Sequence, residues 1–205
     1  MVMRRVPQLV FLGVVLVIGL AYGQTPRFDP ASYAQFLTEL AQTSPYIQVE
    51  QFGRSAAGTP LYLVRVTDPT EQGPKLRLAL QAGQHGDEPE CTLAAMTWLE
   101  ALAKDTVYCT ELVQQLEFLC VPAANPDGQQ CGTRENSKGI DLNRDWLVCT
   151  QPETYALRAL WTNYQPQIFV DLHDLRLDEP HGRAILEGGF LPGHSTRFLQ
   201  LQFQR

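Results

Sequence analysis

The chain has 205 residues, enough for one domain with its own core. At 44% apolar and 19% charged it has an ordinary globular composition. Its net charge of −6 argues against a nucleic-acid footprint, which needs clustered Lys and Arg to meet phosphates.

The first stretch, "MVMRRVPQLVFLGVVLVIGLAYGQ", sets Arg4 and Arg5 before an apolar run from Val6 to Leu20 and ends in the small-residue segment Ala21-Tyr22-Gly23. This is the pattern of a secretory signal over residues 1–23, with the mature chain, 24–205, working outside the cytoplasm, secreted or periplasmic. The alternative is a membrane anchor, but a run of about 15 residues falls short of the roughly 20 that span a bilayer. No stable membrane association is expected after cleavage.

Ser32 to Ala41 has helical apolar spacing. "YIQVEQF" (Tyr46–Phe52) alternates as a strand does, "GRSAAGT" is a turn, and "LYLVRV" (Leu61–Val66) is a second strand. "KLRLALQAG" (Lys75–Gly83) is a third. Pro89–Lys104 is a helix with a buried stripe of Leu93, Met96, Trp98, Leu99 and Leu102, and Pro89 suits its first turn. "LEFLCVPAANPDG" is a fourth strand running into turn chemistry at Asn125-Pro126-Asp127-Gly128. Gln129–Trp146 is polar and aperiodic, a loop long enough to be functional. Glu153–Trp161 is a helix and "QIFVDLHD" (Gln167–Asp174) a fifth strand, beyond which the pattern weakens. Strands alternating with helices predict an α/β domain with a mixed sheet.

Ligands of such sheets bind outside the carboxyl ends of the strands. His85 follows the third strand, Asn125 the fourth, and His173 ends the fifth. His85 and Glu88, three apart in a Gly-containing turn, can converge on one ion, and His173 completes a His-Glu-His set of the kind that holds a catalytic zinc with one position open. A bare H-x-x-E is weak evidence, the alternative being hydrogen-bonded loop residues. His181 and His194 lack the strand-end context. Of the five cysteines (Cys91, Cys109, Cys120, Cys131, Cys149) no two have C-x-x-C spacing, and Cys91, in an apolar helical pattern, is the natural free thiol. Cys131 and Cys149 flank the long loop and either bridge or stay free.

Together these segments resemble the zinc carboxypeptidases of the carboxypeptidase A type, the funnelin metallopeptidases, compact bacterial members in particular. "FGRSAAGTPLYLVRV" resembles the family's N-terminal strand pair, "QHGDEPE" its H-x-x-E, "TRENSKGIDLNRDW" its R-x-N followed by G-x-D-x-N-R, and "FVDLHD" the strand of the last ligand. The resemblance implies an α/β/α fold, Zn2+ held by His85, Glu88 and His173, and Asp141 orienting the first histidine. It implies Arg134 as the catalytic arginine that stabilises the oxyanion, and Asn143 and Arg144 as the grip on a substrate's terminal carboxylate. The bland alternatives are a turn residue for Asp141 and a solvated loop for the two arginines. The substrate is then a peptide or acyl-amino acid with a free carboxylate. The activity is C-terminal peptide hydrolysis, amidohydrolysis of cell-wall peptides or N-acyl amino acids, or zinc and peptide binding without catalysis.

The family's general base is a glutamate on a later strand, and a tyrosine closes over the substrate from an intervening loop. Only 32 residues follow His173; they hold Glu179 and Glu187 and no tyrosine. The expectation is a C-terminally truncated domain, impaired as a peptidase, whose sheet ends at the fifth strand with an open edge beside His173.

Overall fold

The computed structural model describes residues 28–71, 73–104, 106–175, 186–190 and 197–204. In chain order the elements are α1 (Pro30–Thr43), β1 (Ile47–Arg54), β2 (Pro60–Val66), β3 (Leu76–Gln81), α2 (Pro89–Lys104), α3 (Thr106–Gln115), β4 (Leu116–Val121), α4 (Pro126–Cys131), α5 (Leu142–Asp145), α6 (Pro152–Tyr164), β5 (Ile168–Leu175), β6 (Leu186–Phe190) and β7 (Arg197–Gln204). The expected signal segment and His181, His194 and Glu179 lie outside the described residues. Among the described residues no helix is long and apolar enough to cross a membrane.

The strands form one mixed sheet in the order β1-β2-β4-β3-β5-β7-β6. β1 and β2 are an antiparallel hairpin, and β2 runs antiparallel to β4. β4, β3, β5 and β7 are mutually parallel, with β6 antiparallel on the far edge. The expected open edge beside His173 is therefore absent: β7 pairs with β5 from Ile168↔Arg197 to Leu175↔Gln204 and satisfies its backbone. Glu187 lies on β6, opposite Gln200 of β7.

Strand alternation sorts side chains onto two faces. Val64, Leu80, Cys120 and Val170 meet Tyr33, Leu37 and Leu40 of α1 and Ala95, Trp98, Leu99 and Leu102 of α2. Their neighbours Leu63, Ala79, Leu119 and Phe169 meet Leu157, Leu160 and Trp161 of α6. β4 is buried along its whole length, as a parallel strand covered on both faces must be. Its one carboxylate, Glu117, is held by Arg65 of β2 at 2.6 Å and Arg77 of β3 at 2.8 Å.

Three helices, α3, α4 and the single-turn α5 inside the expected loop, go beyond the sequence reading. α3 has a mixed, β-branched sequence with little periodicity, but docks Cys109 and Val113 into the core. Asn125-Pro126-Asp127-Gly128, expected as a turn, is the first turn of α4: the Asn125 side chain accepts from Gly128 N and Pro126 fills the first helical position. In α2 the stripe is rotated, with Cys91 and Ala95 buried and Leu93 and Met96 half-buried.

The Cys131–Cys149 bridge is not formed; all five cysteines are free thiols. Cys131 is exposed at the end of α4, while the Cys149 thiol turns inward to the carbonyls of Trp146 (3.3 Å) and Thr154 (3.8 Å). Carboxylates restrain the loop instead. Asp127 accepts from Ser55, Ala57 N, Thr59 and Ser137, and Asp145 from Thr150, Gln151 N and Thr154.

Burial opposes the charge of Glu117, but Arg77 and Arg65 outweigh it and hold its pKa below the ordinary 4.5. A depressed folded-state pKa contributes stability above the unfolded value and loses it as pH falls. Glu117→Gln is expected to cost about 1–3 kcal/mol at pH 7 by urea denaturation, with the difference from wild type shrinking below pH 4.5. A pH-independent difference would reject the ion-pair account.

Candidate metal centre

β3 is where the sheet changes direction: the chain crosses from it to β4 on one side and later to β5 on the other. At such a switch point the loops leaving the strand ends diverge and open a crevice. The segment after β3 carries His85 and Glu88, and the end of β5 carries His173. The turn is possible because Gly83 takes a left-handed φ of 65°, where a Cβ would strike Gln129 and Thr92. Gly86 packs directly on the backbone of Gly128 in α4; a Cβ there would lie 2.0 Å from the Gly128 carbonyl carbon. Asn125 ties the pieces together, its amide donating to the carbonyls of Gln84 and Arg134.

His85, Glu88 and His173 are each at most 4% exposed, and one ligand atom from each lies within 4.8 Å of the other two. His85 Nδ1 is 2.8 Å from Glu88 Oε1, His173 Nδ1 is 3.1 Å from Glu88 Oε2, and the two Nδ1 atoms are 3.1 Å apart. Ligand atoms about 2.0–2.2 Å from a tetrahedral zinc sit roughly 3.3 Å from one another, so these three fit one ion. Both remote ring nitrogens face carboxylates: His85 Nε2 lies 3.3 Å from Asp141 Oδ1, in ion-pair range though outside hydrogen-bond geometry, and His173 Nε2 is 3.1 Å from Asp171 Oδ2. That pattern leaves Nδ1 of each ring to the metal.

The remaining sequence-derived residues gather here. Arg134 Nε donates to Asp141 Oδ2 at 2.9 Å, and its Nη1 stands 3.9 Å from Glu88 Oε1. Asp141 caps α5, accepting from Asn143 N at 2.8 Å, so Asn143 and Arg144 occupy the first turn of a helix aimed by a carboxylate that also touches His85. Asn143 is half-buried and Arg144 exposed. Sequence reasoning passed over Asp171, Gln81, Gln84 and Trp146. The signal for Asp171 was present, because a residue two before a strand-end histidine shares its face.

Burial works against charge on Glu88, but hydrogen bonds and charge from His173 and His85 bring its pKa down to about 2. Burial likewise opposes charge on His173, yet Asp171 and Glu88 raise it to about 10. At Asp141 burial is outweighed by Arg134, Asn143 N and His85, and its pKa is lowered. Without metal the trio therefore holds a proton on His173 that a cation must displace.

The sequence profile of the zinc carboxypeptidase family matches residues 33–176. Carboxypeptidase 2 of Trichophyton rubrum is 27% identical over 153 residues, which cover 72% of this chain and 28% of the fungal protein. Murein peptide amidase A of Escherichia coli is 29% identical over 154 residues, covering 61% of this chain and 58% of that protein. A crystal structure of a metallo-carboxypeptidase from Burkholderia cenocepacia superposes with a TM-score of 0.64 at 28% identity, over 69% of this chain and 40% of that one. The chain thus spans well under half the length of the fungal and Burkholderia relatives.

Wild type is expected to hold one zinc per chain, and His85→Ala and His173→Ala to lose it, by metal analysis after dialysis. Equal zinc in all three would rule the site out. Because His173 must shed its proton, apparent affinity should climb about tenfold per pH unit below pH 10, with proton release on titration into weak buffer.

Proposed function

The chain belongs to the zinc carboxypeptidase family, and we propose that it acts as a secreted, zinc-dependent metallocarboxypeptidase hydrolysing C-terminal peptide bonds. The observation that carries this reading is the buried convergence of His85, Glu88 and His173 with the Arg134 guanidinium anchored alongside by Asp141.

A zinc ion held by the three ligands would polarise the scissile carbonyl and activate water. The chain's own residues supply the rest. Arg134 is fixed through Nε, which leaves its Nη groups to meet negative charge developing on the carbonyl oxygen. Arg144 and Asn143 would hold the terminal carboxylate, for which a planar guanidinium is well matched. Glu88, Asp141 and Asp171 are each engaged with a histidine, so none of the three is free to act as the proton acceptor.

A second reading is hydrolysis of cell-wall peptides, and the likeness to murein peptide amidase A supports it. Both readings use the same ligands and differ in substrate. The N-terminal pattern supports export; cleavage near Gln24 in secreted material would establish it, and a secreted chain still starting at Met1 would refute cleavage.

The test pairs peptides with free and amidated C-termini and adds a muropeptide. Zinc-dependent release of the last residue from the free form only, abolished by a chelator, is the expected result. Preference for the muropeptide would favour the second reading, and hydrolysis of amidated peptide would defeat the carboxylate grip. Arg134→Ala is expected to lower kcat about 10²–10³-fold. Arg144→Ala is expected to raise KM roughly 10–100-fold, the loss of charged hydrogen bonds to substrate.

A further inference from the structure

Behind the metal ligands runs a polar chain through the sheet. Gln81 and Asp171 are register partners across the parallel β3–β5 pair. His173, two residues on from Asp171, shares its strand face, so Ala79 and Gln81 on β3 and Phe169, Asp171 and His173 on β5 all turn toward α6. The face is apolar where it meets the α6 core and becomes polar only at the strand ends. Gln81, Asp171 and Trp161 are 0%, 4% and 5% exposed.

The geometry of this chain leaves no freedom in its orientation. The Trp161 indole is a donor only and lies 3.0 Å from Gln81 Oε1, so the carboxamide oxygen must face it. The Gln81 NH2 group therefore faces its other two neighbours, Gln84 Oε1 at 3.2 Å and Asp171 Oδ1 at 3.4 Å. Gln84 is fixed by the same logic, because the Trp146 indole donates to its Oε1 at 2.7 Å. Asp171 is left with one oxygen on Gln81 and the other 3.1 Å from His173 Nε2. A buried carboxylate with no cationic Lys or Arg among these contacts is costly unless a specific partner needs it. The partner that needs it is the His173 ring: a hydrogen bond at Nε2 keeps the proton there and leaves Nδ1 for the ion.

We propose that Asp171 is the positioning residue for His173, and that Gln81, locked by Trp161, holds Asp171 in place, so that α6 is mechanically tied to the metal through Trp161–Gln81–Asp171–His173. The inference rests on the zinc reading of the His85, Glu88 and His173 site. Asn at 171 would replace one carboxylate oxygen by an NH2, so it could accept from His173 or from Gln81 but not from both.

The experiment uses the full chain, zinc affinity by chelator competition, and four forms: wild type, Asp171→Asn, Gln81→Met and the double variant. Asp171→Asn should weaken zinc binding about 10–100-fold, and Gln81→Met by less. The double variant should be no weaker than Asp171→Asn alone, because Gln81 acts only through Asp171. In the zinc-loaded wild type the His173 Nε2–H proton should resonate at low field, and it should move upfield in Asp171→Asn, a shift that loss of packing would not produce. If Asp171→Asn fails to fold, Gln81→Met decides: wild-type affinity and an unmoved His173 proton would overturn the proposal. Losses that multiply in the double variant would also overturn it. Unchanged affinity in a folded Asp171→Asn would overturn it while leaving the zinc site standing, whereas a wild type that binds no zinc would remove the site reading and this one with it.

Discussion

Three ionisable side chains buried within 4.8 Å of one another are the constraint around which this end of the fold is organised. Two imidazoles and a carboxylate at such spacing, each at most 4% exposed, have little water to screen them. They need positive charge at their common point, whether a proton on His173 or a divalent ion. Every neighbouring feature answers that need. Asp141 and Asp171 stand at the remote ring nitrogens, and Arg134 balances the carboxylates. Glycine at positions 83 and 86 lets the backbone pass close enough for His85 and Glu88 to arrive together.

The sheet makes this possible through register. In a parallel pair a one-residue slip would turn every side chain of β5 to the other face, and His173 would then point into the α1–α2 core. The pairing Gln81↔Asp171 is held by apolar contacts on both faces, Ala79 and Phe169 against α6, Leu80 and Val170 against α2. The metal ligands thus inherit their precision from hydrophobic packing some residues back along each strand. Hydrogen bonds finish what packing begins, and they span elements far apart in sequence: Gln81 to Trp161 is a separation of 80 residues.

This explains which parts could be read from sequence. Strand periodicity marks β1, β2, β3 and β5, and the apolar run of β4 marks a fully covered strand, so the mixed α/β sheet is legible. His85, Glu88 and His173 stand out because rare ligand types sit at strand ends. α3 is not legible, because its docking depends on a neighbouring surface and not on its own weak pattern. α4 is hidden because Asn-Pro-Asp-Gly is equally good chemistry for a turn and for a capped first helical turn. Gln81 and Trp161 are ordinary residues until register and tertiary packing set one against the other. The two loop cysteines invite a bridge only while the loop is taken to be unrestrained, and Asp127 and Asp145 restrain it already.

Asp141 shows how ligand geometry and substrate geometry become one problem. Its Oδ1 faces His85 and caps α5 through Asn143 N, while its Oδ2 takes Arg134 Nε. A movement of this carboxylate would displace a metal ligand, the guanidinium beside it, and the helix turn that carries Asn143 and Arg144, all at once. Asp171 has no such reach toward substrate; its contacts run back into the sheet and α6. The two carboxylates therefore divide the work: one couples the first histidine to the segment of residues 129–146, which Asp127 and Asp145 hold in place, the other couples the second histidine to the sheet and α6.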